Sequence, residues 1–223
     1  MSGFKIFFMG NNFARLLTAM VVVIKISLIA LLLGVAIGLV FGVLRTTNSR
    51  LLRFIFKIYM EIFRIVPLLV LLFAFYYIVP EMLNTHIANQ TVSIVVFVLW
   101  ISAEMSDLVR SGIENVPQNQ VEIGKSLGFS RTQLYRFIYL PQGLKTVIPG
   151  VINLVTRVIK TTSLLMMIGV TEMIRVGTQI IENYTVNIPT ASLWVYGLIF
   201  FLYFFLCYPL SKWAKYLEKQ VNL

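Results

Sequence analysis

Apolar residues run along this chain in five long stretches, and most of its charge lies between them. The stretches cover about residues 13–44, 54–79, 91–109, 146–168 and 191–210. Each approaches or exceeds the roughly 20 residues that an α-helix needs to cross about 30 Å of hydrocarbon. In lipid a segment must satisfy its own backbone hydrogen bonds, so these runs predict helices rather than isolated strands. The first run is too long for the apolar core of a cleaved signal peptide. The expected fold class is therefore an all-α integral membrane protein with five transmembrane helices, residues 1–223 forming one transmembrane domain. Gly34, Gly38 and Gly42 share one face of the first span. They either let a neighbouring helix approach closely or reflect how common glycine is in membrane helices. Residues 169–189 are of mixed polarity and predict a short surface helix between the last two spans.

The polar interval 118–141 (QNQVEIGKSLGFSRTQLYRFIYLP) predicts two short helices and a turn. Gly128 suits a positive φ at a helix C-terminus, and Ser130 with Gln133 three residues on forms a capping box. On the second helix Leu134, Phe137 and Ile138 make one apolar stripe, with Gln133 and Arg136 turned away. That stripe requires a surface to cover.

With 58% hydrophobic and 13% charged residues the composition excludes an ordinary soluble domain, whose charged share is about 25%. A net charge of +10 would suit a nucleic-acid binder, but its distribution follows the positive-inside rule instead. Arg45, Arg50, Arg53 and Lys57 follow the first span; Arg110, Lys125, Arg131, Arg136 and Lys145 follow the third; Lys212, Lys215 and Lys219 follow the fifth. Twelve of the nineteen basic residues thus fall on one side and only Lys5, Arg15 and Arg175 on the other, the remaining four lying inside spans. The expected orientation is N-terminus outside, C-terminus cytoplasmic, with the loop 111–142 in the cytoplasm and no nucleic acid among the partners. Cys207 is the only cysteine and His86 the only histidine, so neither a disulfide framework nor a metal site is expected. The chain has no G-x-x-x-x-G-K-[ST] phosphate loop and no Gly-flanked serine elbow, and is not expected to be an enzyme.

Spacing adds more than composition. Glu122 is followed at offset six by Gly128, at offset sixteen by Ile138, and then by Leu140 and Pro141. This resembles the EAA loop of ABC importer permeases, with Ile123 and Gly124 standing where that family has two alanines. More of the chain is similar to the polar amino-acid uptake branch: Glu61-Ile62-Phe63-Arg64 with Pro67-Leu68-Leu69, Arg110-Ser111-Gly112-Ile113, Val116-Pro117, Lys160-Thr161-Thr162-Ser163-Leu164, and Gly169-Val170 with Glu172. Thr161 departs from the family's usual acid, Glu104 replaces an apolar or aromatic residue, and Asp107 stands for a glutamate. The resemblance implies a type I importer permease fold in a bacterial cytoplasmic membrane. It also implies two cytoplasmic ATPase subunits that hold ATP and Mg, a second permease subunit (a copy or a paralogue), and an extracytoplasmic amino-acid-binding protein. No cofactor is expected in this chain. The coupling residues it implies are Glu122, Ile123, Gly124, Lys125, Leu127, Gly128, Phe129, Arg131, Ile138, Leu140 and Pro141. An ATPase-independent secondary transporter is the alternative, although such proteins usually show more spans and internal repeats.

Ionisable residues inside spans cost about 2.5–3.5 kcal/mol each at a helix centre on insertion scales, so they mark function or pairing. Lys25, Glu61, Arg64, Glu104, Asp107, Arg157 and Lys160 are such residues. Trp100, Glu104, Asp107 and Ser111 share one helical face. The expected substrate path uses Glu61, Arg64, Pro67, Glu104, Asp107, Lys160, Thr161, Thr162 and Ser163. Glu104 would supply the anion, Arg64 or Lys160 the cation, and Thr162 and Ser163 hydrogen bonds. The competing reading makes these charges structural locks, Glu61 with Arg64 or Glu104 with Arg157 or Lys160. Lys25 is expected to snorkel.

Overall fold

The computed structural model describes residues 3–47 and 49–221, and these are helical nearly throughout. A short 3-10 segment, Gly3–Phe8, precedes α1 (Asn12–Arg45), which is 34 residues long. α2 (Arg50–Ile65) and α3 (Leu68–Met82) follow, then α4 (Asn89–Glu114) and α5 (Gln118–Ser126). α6 runs unbroken over Arg131–Ile168, α7 over Met173–Tyr184 and α8 over Ala191–Val221.

The second span is the first correction. Residues 54–79 form two helices bent by 102°, not one rod. Val66 (φ −68°, ψ 131°) and Pro67 (φ −56°, ψ 132°) are both extended. The steric cause is local: a proline ring disfavours helical geometry in the residue before it, and its nitrogen has no hydrogen to donate. α3 contains a π-helical turn, Ala74–Ile78, just before Pro80.

The pairing of α1 with α4 shows how this broken segment is used. Gly34 faces Ile101, Gly38 faces Met105 and Gly42 faces Val109, so the two helices run parallel. A chain that crosses twice in the same direction has to return in between, and α2 with α3 supplies that return. Together with α6 and α8 this makes five crossings among the described residues. A β-carbon on Gly34, Gly38 or Gly42 would lie 2.5–2.6 Å from the opposing side chain. Of the two readings of the glycine row, close packing is the one the structure shows.

α6 is the second correction. The expected fourth span began near residue 146, yet the helix starts at Arg131, passes through a π-turn at Tyr135–Tyr139 just before Pro141, and continues to Ile168. Its last seven residues tighten to 3-10 geometry and end at Gly169 (φ 84°). α8 likewise extends eleven residues past the expected end at 210, about 16 Å at 1.5 Å per residue. A helix does lie between the last spans, α7, but not at the surface as expected: it buries Met173, Val176 and Ile180, and Gly177 packs against Val195 and Ile199 of α8, inside the fifth span. Glu172 caps it: the fully buried carboxylate accepts hydrogen bonds from the Ile174 and Arg175 amides at 2.9 and 2.7 Å. Burial pushes the Glu172 carboxyl up to about 7, against the pull of those two amides.

One apolar cluster is built on Phe97, Ile101, Met105 and Leu72. A second joins Ile6, Leu16, Met173, Ile180 and Ile199 around the start of α1, α7 and α8. The glycine row ties the first cluster together. Gly38→Val should therefore overpack α1 against α4, at a cost of about 1–3 kcal/mol. Thermal unfolding of the detergent-purified protein should move down by several degrees, while Gly197→Ala, where a β-carbon meets nothing within 4 Å, should unfold as the parent does. Equal midpoints for the two variants would refute the close-packing account.

Candidate functional site

Two groups of sequence-selected residues come together in the fold, one at the loop and one at mid-helix. In the loop, Pro117 starts α5 and Gly128 stops it. The Gly128 amide donates to the Lys125 carbonyl (2.9 Å) and the Phe129 amide to the Gly124 carbonyl (3.0 Å), a Schellman closure that needs Gly128 at φ 80°. A β-carbon at Gly128 would touch nothing, so the backbone angle alone demands glycine there. Ser130 then caps α6, accepting from the Gln133 amide while its own amide donates to Gln133 Oε1 at 2.7 Å.

Gly124 has a steric role. A β-carbon on it would sit 2.5 Å from Ile138 Cδ1 and 2.7 Å from Leu134 Cδ2, so its hydrogen lets α5 fold down onto the first turns of α6. This revises the expected stripe. Leu134 is buried and Ile138 half-buried against α5, and only Phe137 of the three stays exposed. The apolar surface presented outward is Ile123, Leu127 and Phe137, with Phe129 half-buried at 6.0 Å from the Phe137 ring. Glu122, Lys125, Gly128 and Arg131 surround it, all exposed. Leu140 is half-buried and Pro141 exposed along the continuing helix.

Below the loop the tip is anchored. Tyr135 donates to Thr46 just past the end of α1, and Gln142 donates to Gln120 of α5. Gly112 and Gly143 meet backbone to backbone where α4 crosses α6. The tip is thus joined at its base to α1 and α4, and is continuous with α6.

At mid-helix, Asp107 and Glu104 of α4 collect arginines from four helices. Asp107 pairs with Arg45 of α1 (3.4 Å), Arg64 of α2 (2.8 Å) and Arg110 of its own helix (3.3 Å). Glu104 pairs with Arg64 (3.6 Å) and with Arg157 of α6. Arg157 also lies 5.3 Å from the Trp100 ring centroid, within cation–π range. Arg110 has a second partner in Glu114 at 2.6 Å. Arg45 entered the sequence reading only as a topological charge, because its partner is 62 positions away.

Not every expected residue joins this cluster. Glu61 faces away and pairs with Lys57 at 3.9 Å instead of with Arg64. Pro67 sits at the α2–α3 break. Lys160 lines a groove with Tyr203, Cys207 and Tyr208 of α8 and makes no ion pair with Glu104. The Thr161, Thr162 and Ser163 hydroxyls donate to the carbonyls of Arg157, Ile159 and Lys160, one turn back on their own helix. Thr162 is buried beside Tyr203; Thr161 and Ser163 are half-buried.

This arrangement has counterparts among known proteins. The family described as "binding-protein-dependent transport system inner membrane component" matches residues 34–222. The inner membrane amino-acid ABC transporter permease protein YhdY of Escherichia coli is 29% identical over 207 residues, 89% of this chain but 55% of YhdY, so the chain spans little more than half of that relative. The probable glutamine ABC transporter permease protein GlnP of Bacillus subtilis is 28% identical over 208 residues, covering 93% of this chain and 94% of its own. Among solved structures, a chain of an amino acid ABC transporter with histidines superposes with a TM-score of 0.84 at 22% identity, over 95% of this chain and 96% of that one. A chain of the MetNI methionine ABC transporter in an inward-facing conformation gives 0.73 at 18% identity, over 95% and 98%. These two likenesses establish an ABC importer permease fold. With the family matched across most of its length, this multi-pass membrane chain belongs to the binding-protein-dependent transport system inner membrane components, the permease subunits of ATP-driven importers in which a separate subunit hydrolyses ATP.

Proposed function

We propose that this chain moves a polar amino acid across the bacterial cytoplasmic membrane by alternating access, driven by two ATPase subunits that bind ATP and Mg and dock on its loop. The observation that carries this reading is the loop itself: an exposed apolar patch of Ile123, Leu127 and Phe137, formed where α5 packs against the start of α6, the helix that runs on into the membrane. A second permease subunit and an extracytoplasmic amino-acid-binding protein complete the assembly. Relatives bearing the names glutamine permease (GlnP of Bacillus subtilis) and L-cystine permease (TcyB of Bacillus subtilis) support the substrate class. A secondary transporter has no use for such a patch.

In this reading nucleotide-driven closure of the ATPases pulls the two permease loops together, and α6 rotates with the loop as a rigid body. The substrate path runs past Arg64, Glu104, Asp107 and the Thr161–Ser163 hydroxyls. Glu104 is the exchangeable anion. When it releases Arg157 to take a substrate ammonium, Arg64 keeps Asp107 and Arg157 keeps the Trp100 face, so neither cation is stranded.

The orientation is N-terminus outside. The ends of α1 and α4 and the loop lie on one face, as the Tyr135–Thr46 contact requires, and that face carries the basic excess. Single cysteines at His86 and Thr185, in a variant lacking Cys207, should react with an impermeant thiol reagent on intact cells, whereas one at Gln118 should not. Labelling at Gln118 alone would reverse the orientation.

Gly128→Val forces a β-branched residue to φ 80°, a strain of about 1–3 kcal/mol confined to the loop. Membrane insertion should persist while co-purification of the ATPase and substrate-stimulated hydrolysis fall together. Full co-purification with unchanged stimulation would show that the ATPase docks elsewhere.

A further inference from the structure

α2 divides into three sectors when its residues are placed at 100° intervals. Phe56 and Met60 are buried, and Tyr59 and Phe63 half-buried, on one sector facing α1 and α4. Tyr59 donates to the Leu99 carbonyl at 2.6 Å, and the Phe56 ring packs 5.0 Å from Phe41. A second sector carries Arg50, Arg53, Lys57 and Glu61, all exposed. The third holds Leu51, Phe54, Ile55, Ile58 and Ile62, between 43% and 68% exposed. No described segment of the chain covers this row.

The helix is placed to lie along a membrane surface. It begins at the Ser49 cap a few residues after α1 has completed its crossing, and it meets α3 at 102°. The 15 residues of α3 span about 22 Å, most of the return across the hydrocarbon. A helix set crosswise at that point, with one apolar sector toward acyl chains and a basic stripe beside it, has the form of an interfacial helix.

We infer that the N-terminal half of α2 rests at the boundary of lipid headgroups and acyl chains, while its Arg64 end dips toward α4, and that Arg50, Arg53 and Lys57 bind the phosphates of anionic lipids. Charge complementarity selects the occupant. Arg64, at the end of the basic sector, is already committed to Asp107 and Glu104, and Glu61 offsets one charge through Lys57, leaving a net charge of +2 on the four exposed residues. The adjoining apolar row requires acyl chains on the same side of the helix, and an anionic lipid supplies both. The inference depends on α1 and α3 crossing the membrane, and not on the substrate or on which face is cytoplasmic.

The test uses the transporter purified with its partner subunits and placed in phosphatidylcholine vesicles containing spin-labelled phosphatidylglycerol or spin-labelled phosphatidylcholine. The immobilised fraction of each label is read by electron paramagnetic resonance. The parent should prefer phosphatidylglycerol, and R50Q/R53Q/K57Q should lower that preference by about fivefold or more, the gain expected from even one basic residue near an anionic surface. K212Q/K215Q/K219Q, which alters only the end of α8, should keep it. Equal preference in the parent and the α2 variant overturns the inference, as does equal loss in both variants. A photo-crosslinking residue at Phe54 leaves every charge in place and provides a second reading. Crosslinks to lipid support the inference, and crosslinks to a protein subunit overturn it.

Discussion

A charge in hydrocarbon needs a partner, and the fold of this chain is arranged to provide one. Asp107 and Glu104, one turn apart on α4, hold arginines from α1, α2, α4 and α6. Left alone, each of these groups would cost kilocalories inside the membrane, and removing one partner of a buried pair is more damaging than never having had the pair. The network therefore constrains backbone placement. Arg64 can reach both carboxylates only because α2 lies across α4, and α2 lies there because the chain breaks at Val66 and Pro67 before turning outward. The glycine row on α1 makes the matching demand from the other side: close approach of α1 to α4 brings Arg45 within reach of Asp107 and of Ser106, at 3.2 Å.

The loop and the network are connected in series. α6 starts at the Ser130 cap, crosses α4 at the Gly112–Gly143 contact, and carries Arg157 to Glu104 some 27 residues later, about 40 Å of continuous helix. A partner that grips Ile123, Leu127 and Phe137 acts on one end of that rod. The other end holds an ion pair whose cation has an aromatic face to fall back on. That asymmetry between Asp107, which anchors three arginines, and Glu104, whose arginines each have a second partner, separates a structural acid from an exchangeable one.

Much of this was legible beforehand, and what was missed has a common cause. The five crossings, a short helix between the last two, the turn at Gly128 and the capping box at Ser130 all follow from chemistry that is local in sequence. The bend in the second span was signalled by Val66-Pro67, but hydropathy over residues 54–79 averages across it. The loop's second helix is continuous with α6, although Gln142, Gly143 and Lys145 look like a boundary in the sequence, because none of them interrupts an α-helix. Partner choice was the least legible part. Glu61 stood three residues from Arg64, an obvious helical pair, yet a long-range geometry assigned Arg64 to α4 and Glu61 to Lys57. The Leu134–Ile138 stripe was real, but its surface was α5, which Gly124 allows to come close.

The division of labour between the two acids of α4 is the central claim, and comparing Asp107→Asn with Glu104→Gln in the reconstituted transporter tests it most directly. Asp107→Asn should lower the thermal midpoint by several degrees and reduce assembly, since Arg45 loses its carboxylate. Glu104→Gln should unfold close to the parent and keep basal ATP hydrolysis, while the KM for uptake rises by about 10- to 150-fold, the value of one charge-assisted hydrogen bond. The account is contradicted if the order reverses, with Glu104→Gln failing to assemble, or assembling with normal uptake, while Asp107→Asn remains stable.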